Sequence, residues 1–585
     1  MDNQGIAHIF AEIADMLDIQ GENVFRINAY RRAAQIVEHY PQDLSEAYLK
    51  TGDVEKIPGI GTDLKQKIIE LVTTGKCQWH QELVAQFPPG LLGMLRVRGV
   101  GPKKVKLFFG TLGIQNLEQL KKAAMTGQLR DLPKMGEKSE VDILKAIEEY
   151  EAMPHERRLL HEALTEANKF VAYLSKCPDI LKVQYAGSLR RGVETVGDID
   201  ILCCGKKGEK KDPAEVTRIM NYYAKYPGIA SIINRGETKS STLLDTGIQV
   251  DLRVLDESIF GAALHYFTGS KSHNIRIRDR AKKMGLKVSE YGVFDMKGKK
   301  ERLVAGKTED ELFKIIGLPF IIPELREDRG EIEYGLSHEK MPDPVELDHL
   351  QGDLHVHSRW SDGSQEIEDV AKAYQKAGFQ YIALTDHSKL VGVTGGMDDA
   401  RVTEQWDEID EVNRKMKGFR ILKGSEVDIL KNGQLDYGEK ILKKLEVICA
   451  SAHLYHNLTE EEQTKRLIRA VTSGYVKILS HPTGRLINQR KAISFNMEAV
   501  FKACNDHHVA LEINASPDRM DLNDVNVRMA KSLGCKFSID SDSHHSSQME
   551  FLQYGVIVAR RAGLQKEDVI NTMPLKELLK YWKLP

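Results

Sequence analysis

The sequence is poor in cysteine, and its cysteines are not spaced as metal-binding or redox pairs. Among 585 residues there are seven, an odd number, and no two of them are separated by two residues. This pattern argues against a disulfide framework and against a zinc ribbon built on cysteine. It favours a protein of the reducing cytoplasm.

Long apolar runs and an excess of charge are also absent. No run of about 18 apolar residues occurs, so a transmembrane helix is not expected, and the N-terminus shows no pattern of a secretory signal. Lys and Arg total 83 against 85 Asp and Glu, so a basic surface for nucleic acid would have to be local. With 41% hydrophobic and 29% charged residues, the chain has an ordinary globular balance that excludes wholesale disorder.

The pattern of apolar residues changes along the chain, whose length suffices for about four domains. Residues 1–90 and 91–150 show helical spacing, whereas residues 151–320 interleave strand-like runs with helices. Residues 321–348 are rich in proline and acidic residues and are interpreted as a linker, with packing of part of it on a domain left open. Residues 349–585 alternate short apolar runs with amphipathic helices, which predicts βα units and a mainly parallel sheet or barrel.

Three glycine-containing turns followed by lysines interrupt the helical part, at residues 58–61, 98–102 and 133–136. In the first two, glycines one residue apart permit positive φ angles and expose successive backbone N–H groups at a helix start, which forms an anion site. A single G-x-G can be only a tight turn, but the repetition favours binding of DNA phosphates by these helix-hairpin-helix-like segments. The third turn departs from the pattern because it has one glycine. The candidate DNA-binding residues are Gly59, Gly61, Gly99, Gly101, Lys103 and Lys104.

The most specific pattern of the first half is GSLRRGVETVGDID at residues 187–200. Asp198 and Asp200 alternate on a predicted strand and therefore share a face, and Asp251 lies on a strand expected to be its neighbour. Three carboxylates on one face can hold two Mg²⁺ ions for phosphoryl transfer. D-x-D alone could be a solvated strand edge, but joined to G-S-x-x-R-G it predicts nucleotidyl transfer. The residues placed to hold a triphosphate are Ser188, Arg191 and the backbone near Gly197.

Two further segments give the first half of the chain a resemblance to a known family. They are NAYRRAA with P-G-I-G-T near the N-terminus, and LHYFTGS followed by Asn274 and Arg278. With these segments, residues 1–320 resemble a family X DNA polymerase of the DNA polymerase beta kind. The resemblance implies a helical DNA-end-binding domain at 1–90, a duplex-binding thumb-like subdomain at 91–150, an α/β nucleotidyltransferase palm at 151–255 and a nucleotide-closing subdomain at 256–320.

The resemblance also implies roles for individual residues. Asp198, Asp200 and Asp251 would ligate two Mg²⁺ or Mn²⁺ ions, and the partners would be gapped or primer-template DNA and deoxynucleoside triphosphates. Val196 stands where the family often has serine and Gln249 where it often has arginine, which leaves the strength of triphosphate and primer contacts open. An RNA or antibiotic nucleotidyltransferase with the same palm is the alternative, but the hairpins and the YFTG segment favour DNA. The implied nucleotide contacts are Ser188, Arg191 and Gly197 with the triphosphate, Tyr266, Phe267 and Gly269 with the sugar, Asn274 with the base or sugar edge, and Arg278 towards the template.

Lys67 aligns with the lysine that some members of this family use as a Schiff-base nucleophile on 5′-deoxyribose phosphate. That chemistry requires a lysine with a lowered pKa. The alternative is an ordinary lysine that faces phosphate, and Asp63 stands nearby where beta-like relatives carry a lysine. Lyase activity is therefore left open.

Histidines and carboxylates follow apolar runs throughout the C-terminal half. The imidazoles of H-x-H lie on one face of a strand, and the carboxyl ends of parallel barrel strands meet on one rim. Nine nitrogen and oxygen ligands without a cysteine are more than one tetrahedral zinc ion can bind. They suit a site of two or three Zn²⁺, Mn²⁺ or Fe ions. Such a site activates a water molecule and holds a phosphate ester. A lone histidine is more often structural, as is expected for His349, His507 and His508. The nine candidate ligands are His355, His357, Asp362, His387, Glu426, His453, His481, Asp542 and His544.

The segments that carry these ligands resemble the polymerase-and-histidinol-phosphatase (PHP) domain. They read DLHVHS with SDG, TDH, GSEVD, SAH, SHP and DSDSH, and members of the family carry either histidine or aspartate at the position of Asp362. The resemblance implies a distorted (β/α)7 barrel with a trinuclear metal site and 3′–5′ exonuclease activity, with abasic-site incision and 3′-phosphate removal as related tasks. A small-molecule phosphatase and a purely structural metal domain are the alternatives. The whole chain is thus expected to join a gap-filling polymerase of base excision repair to a phosphoesterase, and nothing demands more than a monomer.

Overall fold

The computed structural model describes residues 3–38, 44, 48, 53–54, 57, 60–84, 86–88, 90–97, 99–133, 135–152, 157–206, 212–298, 301–390 and 394–584. It divides into two compact units, Met1–His155 and Glu156–Pro585. None of the described helices is both long and apolar enough to cross a membrane.

The described part of the first unit is helical and has two apolar cores, as the spacing predicts. Phe10 and Ile68 are fully buried in one core, and Phe108 and Leu120 are fully buried in the other. Gly101 caps a helix that begins with proline, a residue suited to that position because its missing N–H would have no partner there. The helices are Asn3–Gln20, Val24–Glu38, Thr62–Thr74, Gln78–Val84, Pro102–Leu112, Leu117–Met125 and Glu137–Ala152, with a 3-10 turn at Leu92–Arg96.

A five-stranded sheet opens the second unit. Alternation along one of its inner strands puts Ile199 and Ile201 into the core beneath the covering helices, and Asp198 and Asp200 on the opposite face with Leu202. The strands are β1 (Arg158–Leu159), β2 (Ile180–Tyr185), β3 (Thr195–Val196), β4 (Asp198–Gly205), β5 (Ile229–Arg235), β6 (Lys239–Leu244) and β7 (Gln249–Leu255), and the helices are Leu160–Leu174, Gly187–Arg190 and Pro213–Tyr223. The sheet order is β2-β4-β7-β6-β5, in which only β4 and β7 are parallel, while β1 and β3 pair beside it.

A smaller subdomain follows, built from helices and an antiparallel three-stranded sheet. Its core joins Ile277, Leu312 and Phe313, all fully buried. The fully buried guanidinium of Arg326 stacks near Phe313 and pairs with Glu309, which also receives two hydrogen bonds from Arg190. The elements are helices Phe260–Thr268, Lys271–Lys283 and Glu309–Ile315, a 3-10 turn at Glu257–Ile259, and strands β8 (Leu286–Ser289), β9 (Gly292–Asp295) and β10 (Arg302–Ala305) in the order β10-β9-β8.

Residues 321–348 pack on both neighbours instead of crossing freely between them. Ile321 and Arg326 are fully buried, and the Val345 N–H donates to the Leu564 carbonyl at 3.0 Å. Its proline and acidic residues and its lack of a clear period suggested a linker, but individual side chains such as Ile321 and Arg326 anchor it. The segment contains 3-10 turns at Pro323–Leu325 and Leu347–His349 and a helix at Glu331–Ser337. The proposed domain boundaries themselves stay predictions.

The C-terminal part is a barrel of seven parallel strands, which confirms the predicted βα architecture. The last strand returns to the first, where the His357 N–H donates to the Ser543 carbonyl at 2.8 Å. The strands, in sheet order, are β11 (Gly352–Val356), β12 (Tyr381–Leu384), β13 (Arg420–Asp428), β14 (Val447–Ser451), β15 (Ile478–Leu479), β16 (Ala510–Asn514) and β17 (Phe537–Asp540). The helices are Ile367–Lys376, Asp399–Lys415, Glu439–Leu442, Glu460–Val471, Met497–Asp506, Asp524–Ser532, Leu552–Arg561 and Leu575–Trp582, with 3-10 turns at Ser546–Phe551, Lys566–Asp568 and Ile570–Thr572.

Candidate active sites

Three aspartates meet on two neighbouring strands of the five-stranded sheet. Asp200 on β4 lies directly opposite Asp251 on β7, and Asp198 lies two residues away on the same face. Asp251 is 6% exposed, whereas Asp198 is exposed to solvent. The sheet register therefore builds the acidic face that the D-x-D pattern predicts.

The charges of these carboxylates depend on one another. Burial, together with the charges of Asp198 and Asp251, raises the pKa of Asp200 to about 7. Asp251 is also buried, but its pKa is lowered overall because Gln249 donates to it at 2.9 Å and Lys239 at 3.0 Å. Gln249, which replaces the arginine frequent in the resembled family, is thus bonded to the third aspartate. The donor set is all oxygen and suits hard divalent cations such as Mg²⁺.

The glycine turn before β4 lies against this acidic face. Gly187 has a φ of +66°, and a Cβ on it would lie 2.7 Å from the Asp200 Oδ2 atom. Only glycine meets both requirements without strain. The turn continues to Arg191, whose Nε donates to Glu327 at 2.9 Å and whose Nη1 donates to the Thr268 carbonyl.

The other predicted nucleotide contacts lie on and around the helix Phe260–Thr268. Tyr266 and Phe267 are half-buried, and the Arg253 guanidinium lies 4.3 Å from the Phe267 ring centroid. Asn274 is 9% exposed and donates to the Tyr266 carbonyl at 2.7 Å, while its Oδ1 atom is buried without a hydrogen-bond partner. Arg278 is exposed on the following helix. The structure therefore brings Asn274 together with Tyr266 and leaves Arg278 free to reach outward.

All nine predicted ligands of the barrel gather at the carboxyl ends of its strands. Three groups of side chains place their ligand atoms within 4.8 Å of one another, and they are the only such groups among the described residues. Asp362 lies 3.2–3.4 Å from three imidazoles, and His481 lies 2.9 Å from Glu426. The three groups are His357 with Asp362, His387 and His544; His355 with His357 and Asp542; and His387 with Glu426 and His453. Asp198, Asp200 and Asp251 of the five-stranded sheet are not grouped this tightly.

Buried nitrogen atoms crowded against carboxylates indicate that the barrel site can hold metal ions. His355 Nε2, His357 Nδ1 and His387 Nδ1 are buried and make no hydrogen bond of good geometry, yet each lies 3.0–3.4 Å from a carboxylate oxygen of Glu426 or Asp362. Buried polar atoms are normally hydrogen-bonded, and a cation shared between these nitrogens and carboxylates would satisfy them. Their imidazoles, with shared carboxylates and no cysteine, fit zinc, manganese or iron.

Charge in the barrel site is balanced between imidazoles and carboxylates. Burial opposes a charge on His453, but Glu426 and Asp428 outweigh it and raise the pKa of His453 to about 10. Burial likewise opposes a charge on His544, but the hydrogen bond to Asp362 and the charge of that carboxylate outweigh burial and raise the pKa of His544 to about 9. Exposure shows where solvent enters: the side chains of Asp362, His453 and His544 are 21%, 19% and 34% exposed, whereas the other six are below 10%.

Residues that sequence reasoning missed orient these ligands from behind. Glu512 accepts a hydrogen bond from His355 Nδ1 at 2.6 Å and another from the His481 N–H at 2.5 Å, and Asp428 lies 3.2 Å from His453 Nδ1. Because these carboxylates bind the Nδ1 atoms of His355 and His453, the Nε2 atoms of both imidazoles are left facing the metal site. A charged residue inside the apolar run VALEINAS was the available signal for Glu512.

The glycine turns of the first unit differ in how their lysines are engaged. Lys65 pairs with Asp53 at 2.8 Å and Lys67 pairs with Asp63 at 2.6 Å. Lys103 and Lys104 have no acidic partner among the described residues. Cβ atoms on Gly61, Gly99 and Gly101 would meet nothing within 4 Å, so these turns are open to a ligand, whereas Gly59, Arg98 and Lys134 lie outside the described residues.

The pKa of Lys67 is raised, which is the opposite of what a Schiff-base nucleophile requires. Burial lowers it, but the hydrogen bond to Asp63 and the nearby Tyr30 outweigh burial. The protonated ammonium has no lone pair to attack a carbonyl.

Family models match four parts of the chain. They are a helix-hairpin-helix domain at residues 1–77, a SAM-like helix-hairpin-helix tandem at 91–149, the DNA polymerase beta thumb at 263–327 and the PHP domain at 353–516.

Curated relatives cover the whole chain or its C-terminal part. The DNA polymerase/3′-5′ exonuclease PolX of Bacillus subtilis (strain 168) is 35% identical over 590 aligned residues, which span all of both chains. A probable phosphatase of Thermoanaerobacter sp. (strain X514) is 30% identical over 242 residues, 39% of this chain and 94% of its own. A probable phosphatase of Proteus mirabilis (strain HI4320) is 29% identical over 237 residues, 39% of this chain and 91% of its own.

Proposed function

The chain belongs to the bacterial family X DNA polymerases that carry a C-terminal PHP domain, and on this premise we propose that it fills short gaps in DNA during base excision repair. The observation that carries the proposal is the position of Asp200 opposite Asp251, beside the turn that bears Arg191. Asp198, Asp200 and Asp251 would hold two Mg²⁺ or Mn²⁺ ions, which when bound assist attack of the 3′-hydroxyl and departure of pyrophosphate.

The chain's own residues orient the nucleotide in this proposal. Ser188, Arg191 and the Gly197 backbone bind triphosphate oxygens through charge-assisted hydrogen bonds. Asn274 restrains the Tyr266 backbone, so that the segment Tyr266–Gly269 presents a fixed surface to the sugar. Lys103 and Lys104 contact phosphates of the DNA backbone in a manner independent of sequence.

We further infer that the barrel hydrolyses phosphodiesters at DNA 3′ ends. The Bacillus relative is named a DNA polymerase/3′-5′ exonuclease, and its match spans all of both chains. Up to three ions of Mn²⁺, Zn²⁺ or Fe would be held by the nine ligands, and when bound they activate water and polarise the phosphate. Arg519, 3.9 Å from Asp542, places a guanidinium beside the ligands where an anionic substrate would be attracted. Incision at abasic sites and removal of 3′-phosphates use the same hydrolysis.

A second candidate for the barrel is hydrolysis of small phosphate monoesters. The relatives from Thermoanaerobacter and Proteus match this part alone and are named probable phosphatases. The attached palm and hairpin turns favour DNA, because they would bring 3′ ends to the same molecule.

Substrate range tests the proposal. The protein would be given labelled single-nucleotide-gapped DNA, labelled single-stranded DNA and p-nitrophenyl phosphate, in Mg²⁺ and in Mn²⁺. We expect one-nucleotide extension of the gap and 3′ shortening of the single strand, with little release of p-nitrophenol. Release of p-nitrophenol without 3′ shortening would support the phosphatase instead, and failure to extend the gap would refute the polymerase assignment.

A further inference from the structure

The guanidinium of Arg191 is held by a carboxylate that the C-terminal barrel also holds. Glu327 Oε1 accepts from Arg191 Nε at 2.9 Å and from Arg561 Nη1 at 2.9 Å. Arg561 Nη1 also donates to the Arg191 carbonyl at 2.7 Å. A single arginine at the end of the barrel helix Leu552–Arg561 therefore contacts both the backbone of Arg191 and the group that fixes its side chain.

This contact is largely removed from water. The side chain of Arg561 is 6% exposed, and those of Arg191 and Glu327 are each 14% exposed. Ion pairs screened from solvent keep their geometry better than exposed pairs, because water competes less for the same atoms. The positions of all three side chains are therefore mutually dependent.

Further charges fix Arg561 from the barrel side. Its Nη2 donates to Asp524 at 2.9 Å, and Asp524 also receives Arg329 Nη1 at 2.7 Å. Positive and negative groups thus alternate from Arg191 through Glu327 and Arg561 to Asp524. Arg191, at the palm end of this series of ion pairs, is the residue proposed to bind the triphosphate.

The backbone of the glycine turn also rests on the same barrel helix. Gly192 has a φ of +65°, and a Cβ on it would lie 2.3 Å from Ile557 Cγ2 and 3.8 Å from Arg561 Cδ. The helix therefore supports the turn next to Arg191 by direct packing as well as by charge.

We propose that Arg561 is a positioning residue for nucleotide binding: it fixes Glu327, which together with the Thr268 carbonyl orients the Arg191 guanidinium towards the triphosphate. The barrel thereby contributes to the polymerase site as well as carrying its own. The inference rests on the proposed nucleotide role of Arg191.

Kinetics of gap filling by the full-length protein test this role. Arg561→Met and Glu327→Gln are each expected to raise the KM for the deoxynucleoside triphosphate about 5- to 30-fold, with kcat changed less than about twofold. Arg561→Lys, which keeps the charge and one donor nitrogen but loses the planar guanidinium fork, should recover part of the loss. The matched control is Arg560→Met, because Arg560 pairs across the same interface with Glu324 and Glu346 and does not contact Arg191. Shortening of single-stranded DNA and the thermal unfolding temperature show that each variant is folded.

The outcomes separate this inference from the proposed function. If Arg191→Ala raises the KM but Arg561→Met and Glu327→Gln do not, or if Arg560→Met raises it equally, Arg561 has no specific positioning role. A fall in KM for Glu327→Gln would show that the carboxylate competes with the triphosphate and would overturn the inference. If Arg191→Ala leaves the KM unchanged, the nucleotide role of Arg191 itself is wrong and the inference falls with it.

Discussion

Gly187 and Asp200 approach so closely that a Cβ on the glycine would lie 2.7 Å from the Asp200 Oδ2 atom. The turn and the acidic face are therefore one unit, and the D-x-D strand cannot keep its geometry if the turn shifts. The positive φ of Gly187 adds a second reason for glycine at this position.

Substitution Gly187→Ala should abolish gap filling while leaving the barrel active. Displacing Asp200 by about 1 Å is expected to lower the polymerase kcat by about 100-fold or more. Gly418→Ala is the control, because Gly418 has a φ of +73° in open space and its substitution tests backbone strain alone. Extension of a gapped substrate measures the effect. Full activity of Gly187→Ala would contradict the placement of Asp200 in the reaction.

Glu512→Gln should weaken metal binding in the barrel without affecting the palm. Glu512 orients His355 through Nδ1, and loss of such a partner typically lowers metal affinity by about 10- to 100-fold. Metal content after dialysis and 3′ shortening should both fall, whereas gap filling should not. Unchanged metal content would show that His355 needs no such partner.

Metal binding by the barrel should release protons and strengthen as pH rises. The pKa values of His453 and His544 are raised to about 10 and about 9, so both imidazoles carry protons at pH 7 in the metal-free chain. Since a ligating imidazole must be neutral, apparent affinity should increase from pH 7 towards pH 9. Calorimetric titration in buffers of different ionisation enthalpy measures the protons released. Release of none at pH 7 would contradict these protonation states.

The same raised pKa values predict the stability of the metal-free protein. A group whose folded pKa exceeds its unfolded value of about 6.5 contributes its full stability below that value and loses it as pH rises through the folded pKa. The metal-free barrel should therefore unfold at lower temperature at pH 9.5 than at pH 7, and His453→Gln should reduce the difference. If the unsubstituted, metal-free chain unfolds at the same temperature at pH 7 and at pH 9.5, the raised pKa values are contradicted.

Lys67 should form little Schiff base with 5′-deoxyribose phosphate at neutral pH, because Asp63 helps to keep it protonated. Asp63→Asn removes that charge and should increase the product trapped by borohydride. Adding Lys67→Ala should abolish the increase. Strong trapping by the unsubstituted protein that Lys67→Ala removes would show that the lyase operates despite Asp63.

The sequence predicts most of the two sites because their residues obey local rules. Asp198 and Asp200 share a face through strand period alone, and the barrel ligands follow apolar runs whose ends must meet in a parallel barrel. The third aspartate required the further assumption that two strands 50 residues apart are neighbours, and the parallel pairing of β4 with β7 bears it out.

The residues that the sequence does not predict are placed by contacts between distant parts of the chain. Arg561 and Glu327 are separated by 234 positions, and neither belongs to a motif. Glu512 is distinguishable only as a charge in an apolar strand. Nothing in the composition of residues 321–348 reveals that Arg326 would be fully buried against Glu309. Such pairings arise from tertiary packing and have no periodicity to detect.

The central claim is that one chain holds two separate active sites, and labelled gapped DNA tests it most directly. The protein would be incubated with and without deoxynucleotides, alongside Asp198→Ala with Asp200→Ala and His355→Ala with His357→Ala. We predict that extension is lost only in the aspartate variant and 3′ shortening only in the histidine variant. Persistence of 3′ shortening in the histidine variant would contradict the account and would place the nuclease outside the barrel.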